Sequence, residues 1–344
     1  MSKIHKASIL LLVLGFCFIS YGQNRPIVQP VNIVQPSKVK FRTLNSQTSL
    51  NNLPYKYYRK TFWTEKNVIG LDLSEVAFVN WNAGGANSIS AVMSGDFSRI
   101  FEKGFIRWKN ELLMRYGINQ QSGNGIRKTD DKLEFNSTIG YRTDSISNWY
   151  YSGKFNFRTQ FTNGYKYPNT DQIISTIMAP AYFFLGVGAE YGANIQHFNL
   201  YASPFTFKST WVLNQGLANQ GAFGVTPAVY DEEGNIISKG KLMRTELGIL
   251  ITNEYNTTIF ENIGLTNRIS LYSDYINNFG NIDVDWELNF NLKVNQYVLA
   301  KLGSHLIYDD DIKVTSQNDA GETVIEGPKI QWKQQLGIGV IVQL

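Results

Sequence analysis

The chain has 344 residues and a formal net charge of +4, from 32 basic and 28 acidic side chains. That balance is too mild for a nucleic-acid binder. Charged residues make up 17% of the chain, below the roughly 25% of an average soluble domain, while aromatics reach 14% and glycines number 29. A mean hydropathy of −0.21 excludes a bundle of transmembrane helices.

Residues 1–22 read as an export signal. Lys3 and Lys6 precede an apolar run from Ile9 to Ile19, and the small residues Ser20 and Gly22 place cleavage before Gln23. Cys17 follows Phe16, which excludes a lipoprotein signal. Cleavage removes the single cysteine, so the exported part has no disulfide and no thiolate metal site. Residues 23–62 follow, interrupted by Pro26, Pro30, Pro36 and Pro54. They read as an irregular periplasmic arm or a plug, with too little periodic apolar sequence for a core.

Residues 63–344 carry a period of two, the mark of strands whose two faces meet different surroundings. In Ile106–Ile118, Trp108, Leu112, Met114 and Tyr116 oppose Arg107, Lys109, Glu111 and Arg115. In Trp149–Phe161, Tyr151, Phe155 and Phe157 alternate with Ser152, Lys154, Asn156 and Arg158. Ile282–Val294 is the most regular case, with Val284, Trp286, Leu288 and Phe290 set against Asp283, Asp285, Glu287 and Asn289. Ile330–Leu344 repeats it with Trp332, Leu336, Ile338, Val340 and Val342.

Twelve such segments are expected, at 67–79, 88–101, 105–117, 131–143, 149–161, 180–192, 198–213, 241–253, 262–276, 281–294, 297–309 and 330–344. Most are longer than the roughly 5–6 residues of soluble strands and suffice for the roughly 9–11 that cross a bilayer. The connections sort by side. Residues 102–104, 144–148, 193–197, 254–261 and 295–296 make short or moderate turns. On the other side lie 80–87, 118–130, 162–179, 214–240, 277–280 and 310–329. Short periplasmic turns and long external loops describe an outer-membrane barrel. The expected fold is all-β: a closed, antiparallel transmembrane β-barrel of about 12 strands with an irregular N-terminal arm. Its aromatics at strand ends (Trp81, Trp108, Tyr116, Trp149, Tyr308 and Trp332) are placed at the two membrane interfaces.

The polar faces would line the lumen. Candidates for its selectivity are Arg107, Lys109, Glu111, Arg115, Lys154, Arg158, Arg244, Arg268, Asp283, Asp285, Glu287 and Lys293, with Lys132, Glu134, Arg142, Glu246 and Lys301 on the same faces. Opposite charges in a narrow lumen should pair, so the same residues also read as ion pairs that stiffen the barrel. Barrels of about eight strands are filled by side chains, while those of sixteen to eighteen hold a channel; a barrel of twelve leaves a pore, a plug and a ligand cavity open. Asp309, Asp310 and Asp311 make a weak candidate cation site, since clustered carboxylates suit calcium, against the plainer reading of a solvated acidic turn.

An enzyme is not expected. Ser304 and His305 are adjacent and face opposite sides, and no Gly-x-Ser-x-Gly, His-Glu-x-x-His or phosphate loop occurs. No cofactor is expected.

Several stretches resemble a family of Bacteroidetes envelope proteins of unknown function, domain of unknown function three-thousand-and-seventy-eight. They are Trp81–Gly85, Tyr201–Phe205, Leu217–Val225, Asn281–Glu287, Lys293–Tyr297 and Leu306–Ile312. The resemblance runs over roughly residues 60–344. It implies an outer-membrane barrel and carries no catalytic residues. One departure is the final Leu344, where many such barrels end in an aromatic.

The expected function is passive passage or binding of a small polar solute at the bacterial cell outer membrane. The alternative is a structural or assembly scaffold without an open pore. Expected partners are membrane lipid and lipopolysaccharide, the barrel-assembly machinery and a further envelope protein, with no nucleic acid.

Overall fold

The computed structural model describes residues 61–77, 86–195, 197–277, 279–311, 313–317 and 323–343. The expected signal segment, all but the last two residues of the arm, the Trp81–Gly85 loop and Leu344 lie outside them.

Twelve strands form one closed barrel. They are β1 (Trp63–Val76), β2 (Ser88–Lys103), β3 (Ile106–Gln121), β4 (Arg127–Tyr141), β5 (Trp149–Thr159) and β6 (Ala181–Tyr191). After these come β7 (Phe198–Trp211), β8 (Met243–Phe260), β9 (Ile263–Asp274), β10 (Asp283–Lys293), β11 (Val298–Tyr308) and β12 (Gln331–Gln343). Each strand pairs antiparallel with its neighbour in sequence, and β1 pairs with β12 to close the ring. The closing ladder runs from Val68↔Gln343 to Leu73↔Ile338, while the β1–β2 ladder spans Trp63↔Phe101 to Val76↔Ser88.

Two connections differ from expectation. Residues 118–130 are mostly strand, because β3 continues to Gln121 and β4 starts at Arg127. The 254–261 turn is also strand as far as Phe260. In both places the ladder outlasts the apolar alternation, since polar residues such as Asn119↔Arg127 and Asn256↔Thr266 still hold backbone pairing. The sorting by side survives. One end has the connections 104–105, 142–148, 192–197, 261–262 and 294–297; the other has 77–87, 122–126, 160–180, 212–242, 275–282 and 309–330.

The long connections carry small elements of their own. Two-stranded ribbons form at Gly164–Tyr165 with Ile173–Ser175, Val229–Tyr230 with Ile236–Ser238, and Lys313–Gln317 with Thr323–Pro328. A short helix, α1 (Gln215–Asn219), starts where the Asn214 side chain accepts a hydrogen bond from Leu217 N. Leu217, Ala218 and Val225 bury against Ala179 and Val212 and hold this loop to the barrel end.

The large apolar side chains point outward. Trp332 is 69% exposed, Leu336 70% and Val187 67%, which no water-soluble sandwich core would leave open. At the short-turn end a belt of rings runs from strand to strand. Trp63 contacts Phe101 and Trp108, Phe105 contacts Tyr141, and Tyr191 contacts Trp149 and Phe198. Trp108 and Trp149 therefore join such a belt as expected. With no free edge, an apolar outer band and aromatic rings at its border, the molecule is a membrane-type β-barrel.

Candidate functional site in the barrel interior

A single irregularity sets which side chains enter the interior of β6–β8. Pro204 has no backbone N–H and sits where β7 bulges: Val187 pairs with Phe205, and Ala189 pairs with Ala202. Before the bulge Asn199, Tyr201 and Ser203 face inward; beyond it Thr206, Lys208 and Thr210 do. Gly186 stands opposite on β6. A Cβ there would lie 2.6 Å from Thr206 Oγ1 and 2.9 Å from Tyr201 Oη, so the missing side chain makes room for these hydroxyls.

The inward charges form tiers. Toward the long-loop end, Lys132 Nζ on β4 lies 2.6 Å from Glu134 Oε2 and 3.2 Å from Glu287 Oε1 on β10. Five strands separate β4 from β10 in either direction around the ring, so this contact spans the full diameter. Arg158 on β5 donates to Asp285 on β10 at 2.5 Å, and His305 Nε2 on β11 lies 2.7 Å from the other oxygen of Asp285. Arg115 on β3 reaches Glu287 at 3.4 Å and Asp130 at 3.4 Å, and Lys333 on β12 reaches Asp130 at 2.7 Å. The interior at this height is bridged by ion pairs.

A second tier lies nearer the short turns. Lys109 Nζ sits 2.7 Å from Glu111 and 3.7 Å from Glu254 on β8, and Arg268 on β9 holds the other oxygen of Glu254 at 3.2 Å. At the long-loop mouth, Lys208 bridges Glu246 at 3.1 Å and Asp283 at 2.9 Å. Arg244 joins Glu246 at 2.9 Å to Asp311 at 2.8 Å and donates to Gly224 O, which ties the α1 loop to the mouth. Along the wall, Lys301 on β11 pairs with Asp72 on β1 at 2.9 Å.

The expected lumen residues thus mostly meet one another. Arg107 pairs with the exposed Glu102 next to a short turn, and Lys293 is exposed at the end of β10, so neither joins the tiers. Asp72, Asp130, Lys208, Glu254, His305 and Lys333 join although none was among the lumen candidates. Lys208 was hidden by the bulge, which reverses the alternation within one strand. Ser304 turns outward and accepts a hydrogen bond from Trp332 Nε1, while its neighbour His305 turns in, as adjacent strand residues must.

The acidic turn is rearranged relative to expectation. Asp311 is taken by Arg244, and the carboxylates that approach one another, within 4.8 Å, are those of Asp283, Asp309 and Asp310. Lys208 already supplies positive charge to Asp283. Burial raises the pKa of Asp309 above the usual carboxylate value, with Lys208 opposing it and Asp310 and Asp311 adding to it.

Cavities among the described residues include two beside these charges. One of about 30 Å³ is lined by Arg115, Glu287, Asn289, Gly303, His305 and Lys333, with room for about one or two waters. The other, about 330 Å³, lies at the long-loop end, where Tyr165 and Tyr167 of the 160–180 connection face Tyr116, Ile118 and Ile126.

Residues 73–165 match the model of a family described as protein of unknown function (DUF3078). The family expected from the sequence is the one found. The match covers β2–β5 whole, while most of the stretches that carried the resemblance lie beyond it. No curated protein matches the chain in sequence. Among solved structures it is similar to the translocator domain of autotransporter NalP from Neisseria meningitidis, with 10% identity over 83% of this chain and 90% of that one, TM-score 0.33. An outer membrane channel from Pseudomonas putida F1 gives 10% identity over 85% and 100%, TM-score 0.38. The NanC porin gives 11% over 80% and 98%, TM-score 0.33. All three likenesses are distant.

Proposed function

We propose that this chain is an outer-membrane barrel that admits a small polar solute through a charged interior held nearly shut by ion pairs. The observation that carries this reading is the set of contacts from β4 and β5 to β10. Charges of opposite sign meet across the diameter in place of an apolar core. A solute can cross only by exchanging places with these partners, which favours small, polar, hydrogen-bonding molecules. The selectivity residues in this reading are Lys109, Glu111, Arg115, Lys154, Arg158, Arg244, Arg268, Asp283, Asp285 and Glu287.

Planar-bilayer recording of the refolded full-length protein tests it. Small wild-type conductance is expected, with a marked rise in R158A/D285A, which removes one cross-barrel pair without leaving either charge alone. Silence in both would overturn passage. The direct contact between opposite walls favours a second reading, a closed scaffold of the outer membrane, and silence would support it.

A further inference from the structure

The interior cations differ in one respect. Lys109, Arg115, Lys132, Arg158, Lys208, Arg244, Arg268, Lys301 and Lys333 each have a carboxylate oxygen within 4 Å. Lys154 has none. Its ammonium donates to Thr252 Oγ1 at 2.9 Å and lies 5.2 Å from the centre of the Tyr201 ring. Glu190, the carboxylate that acts on it most strongly, is engaged elsewhere: Ser152 donates to it at 3.2 Å and Asn199 at 2.5 Å. Glu111, Glu134 and Lys109 also face Lys154, and the first two are each bound by their own lysine.

Position adds to this. Lys154 lies midway along β5 and Thr252 midway along β8, between the tier of Arg158 and Asp285 and the tier of Lys109 and Glu254. An ammonium has three donors, and among the described residues a single conventional acceptor is in contact with this one. The wall beside it presents Tyr201 and the hydroxyls of Ser203 and Thr206, which pack over Gly186, the register partner of Lys154 on β6. A partly buried cation with unspent donors in the barrel interior favours a negative ligand.

We propose that Lys154, held over the Tyr201 ring and beside Thr252, is a binding site for a small anion at mid-height of the barrel, so that the solute admitted is anionic. This rests on the passage reading for its route, and on the geometry of Lys154 alone for its chemistry. A carboxylate and an inorganic oxyanion share the required chemistry, a compact negative group that accepts hydrogen bonds.

Two measurements separate the site from the route. In bilayers under a potassium chloride gradient, the wild-type reversal potential should lie on the chloride side, and K154Q should move it toward zero. An unchanged potential in a conducting K154Q protein overturns the anion site and leaves passage standing. In detergent, inorganic phosphate should raise the thermal midpoint of the wild-type protein above that in sodium chloride of equal ionic strength, each variant being compared with its own midpoint in sodium chloride. The rise should vanish in K154Q and persist in K293Q, which alters a lysine outside the tiers. With silent bilayers, a Lys154-dependent rise establishes a closed anion site and overturns passage; its absence overturns both. Sodium acetate in place of phosphate distinguishes a carboxylate site from one confined to oxyanions of higher charge.

Discussion

The barrel has a thick wall and a thin one. On β6–β9 the inward side chains are packed: Tyr201 is 1% exposed, and Ser203, Thr206, Lys208, Glu246, Leu250 and Tyr272 are all buried beside it. On β11, β12 and β1 the inward positions include Gly303, Gly337, Gly339 and Gly70, and the space near Gly339 is filled by the carboxylate of Asp72, its register partner. Both walls carry exposed apolar residues outward, Leu185, Val187 and Phe205 on one and Leu71, Leu336 and Ile338 on the other, so lipid does not explain the difference. The thick wall gives the molecule something like the core of a soluble protein. The thin wall leaves room, and the small cavity beside His305 and Lys333 lies along it. A path through the interior would follow the glycines.

Four variants test the difference between the walls, in falling order of expected effect. Tyr201→Ala empties the centre of the thick wall and should cost about 3–5 kcal/mol, read as a lowered urea midpoint for the barrel in lipid vesicles; a change below ~1 kcal/mol would show that the wall is not a core. Leu336→Arg places a charge on the lipid side of the thin wall near the middle of β12. It should cost about 2–4 kcal/mol in the same assay, and an effect near zero would mean that this face does not meet hydrocarbon. Gly186→Ala should cost about 1–3 kcal/mol, because its methyl meets Thr206, Ser203 and Tyr201 at under 3 Å. Gly337→Ala, whose nearest neighbour is Leu73 O at 3.5 Å, should change stability by no more than about 0.5 kcal/mol. Equal costs for these two glycine variants would erase the distinction between the walls.

The smallest effect belongs to neither wall and serves as a control. Asp231 in the 212–242 loop accepts backbone N–H bonds from Asn235 and Glu233, which lower its pKa. A lowered carboxylate pKa stabilises the charged form, so the loop is held above the ordinary aspartate pKa and released as pH falls through the lowered value. The protection of the Asn235 amide, its exchange rate relative to the unstructured rate at the same pH, should fall in acid in the wild-type protein and not in D231N, with the barrel strands unaffected.

Much of this was legible in the sequence because alternation is a local property. In β10 each of Val284, Trp286 and Leu288 announces its face, and the twelve strands follow from repeated cases. The partners of the lumen charges were not legible. That Lys132 meets Glu287 depends on strand order around the ring and on register, neither of which leaves a mark near either residue. Lys208 was lost for a different reason, the extra residue at Pro204 that changes parity midway along β7. Lys154 could be seen to face inward. That it would be left without a carboxylate could not, since that depends on where every other acid in the interior goes.

The closing ladder between β1 and β12 has a consequence for assembly. Every other pairing joins consecutive strands, so the sheet can grow one hairpin at a time with little entropy lost per step. The β1–β12 seam must wait until ten intervening strands are in place, and it is shorter than the ladder on the other side of β1. Until it forms, the sheet is an open ribbon with two unpaired edges. The short seam is therefore the step at which an unfinished sheet is most exposed to pairing with other chains.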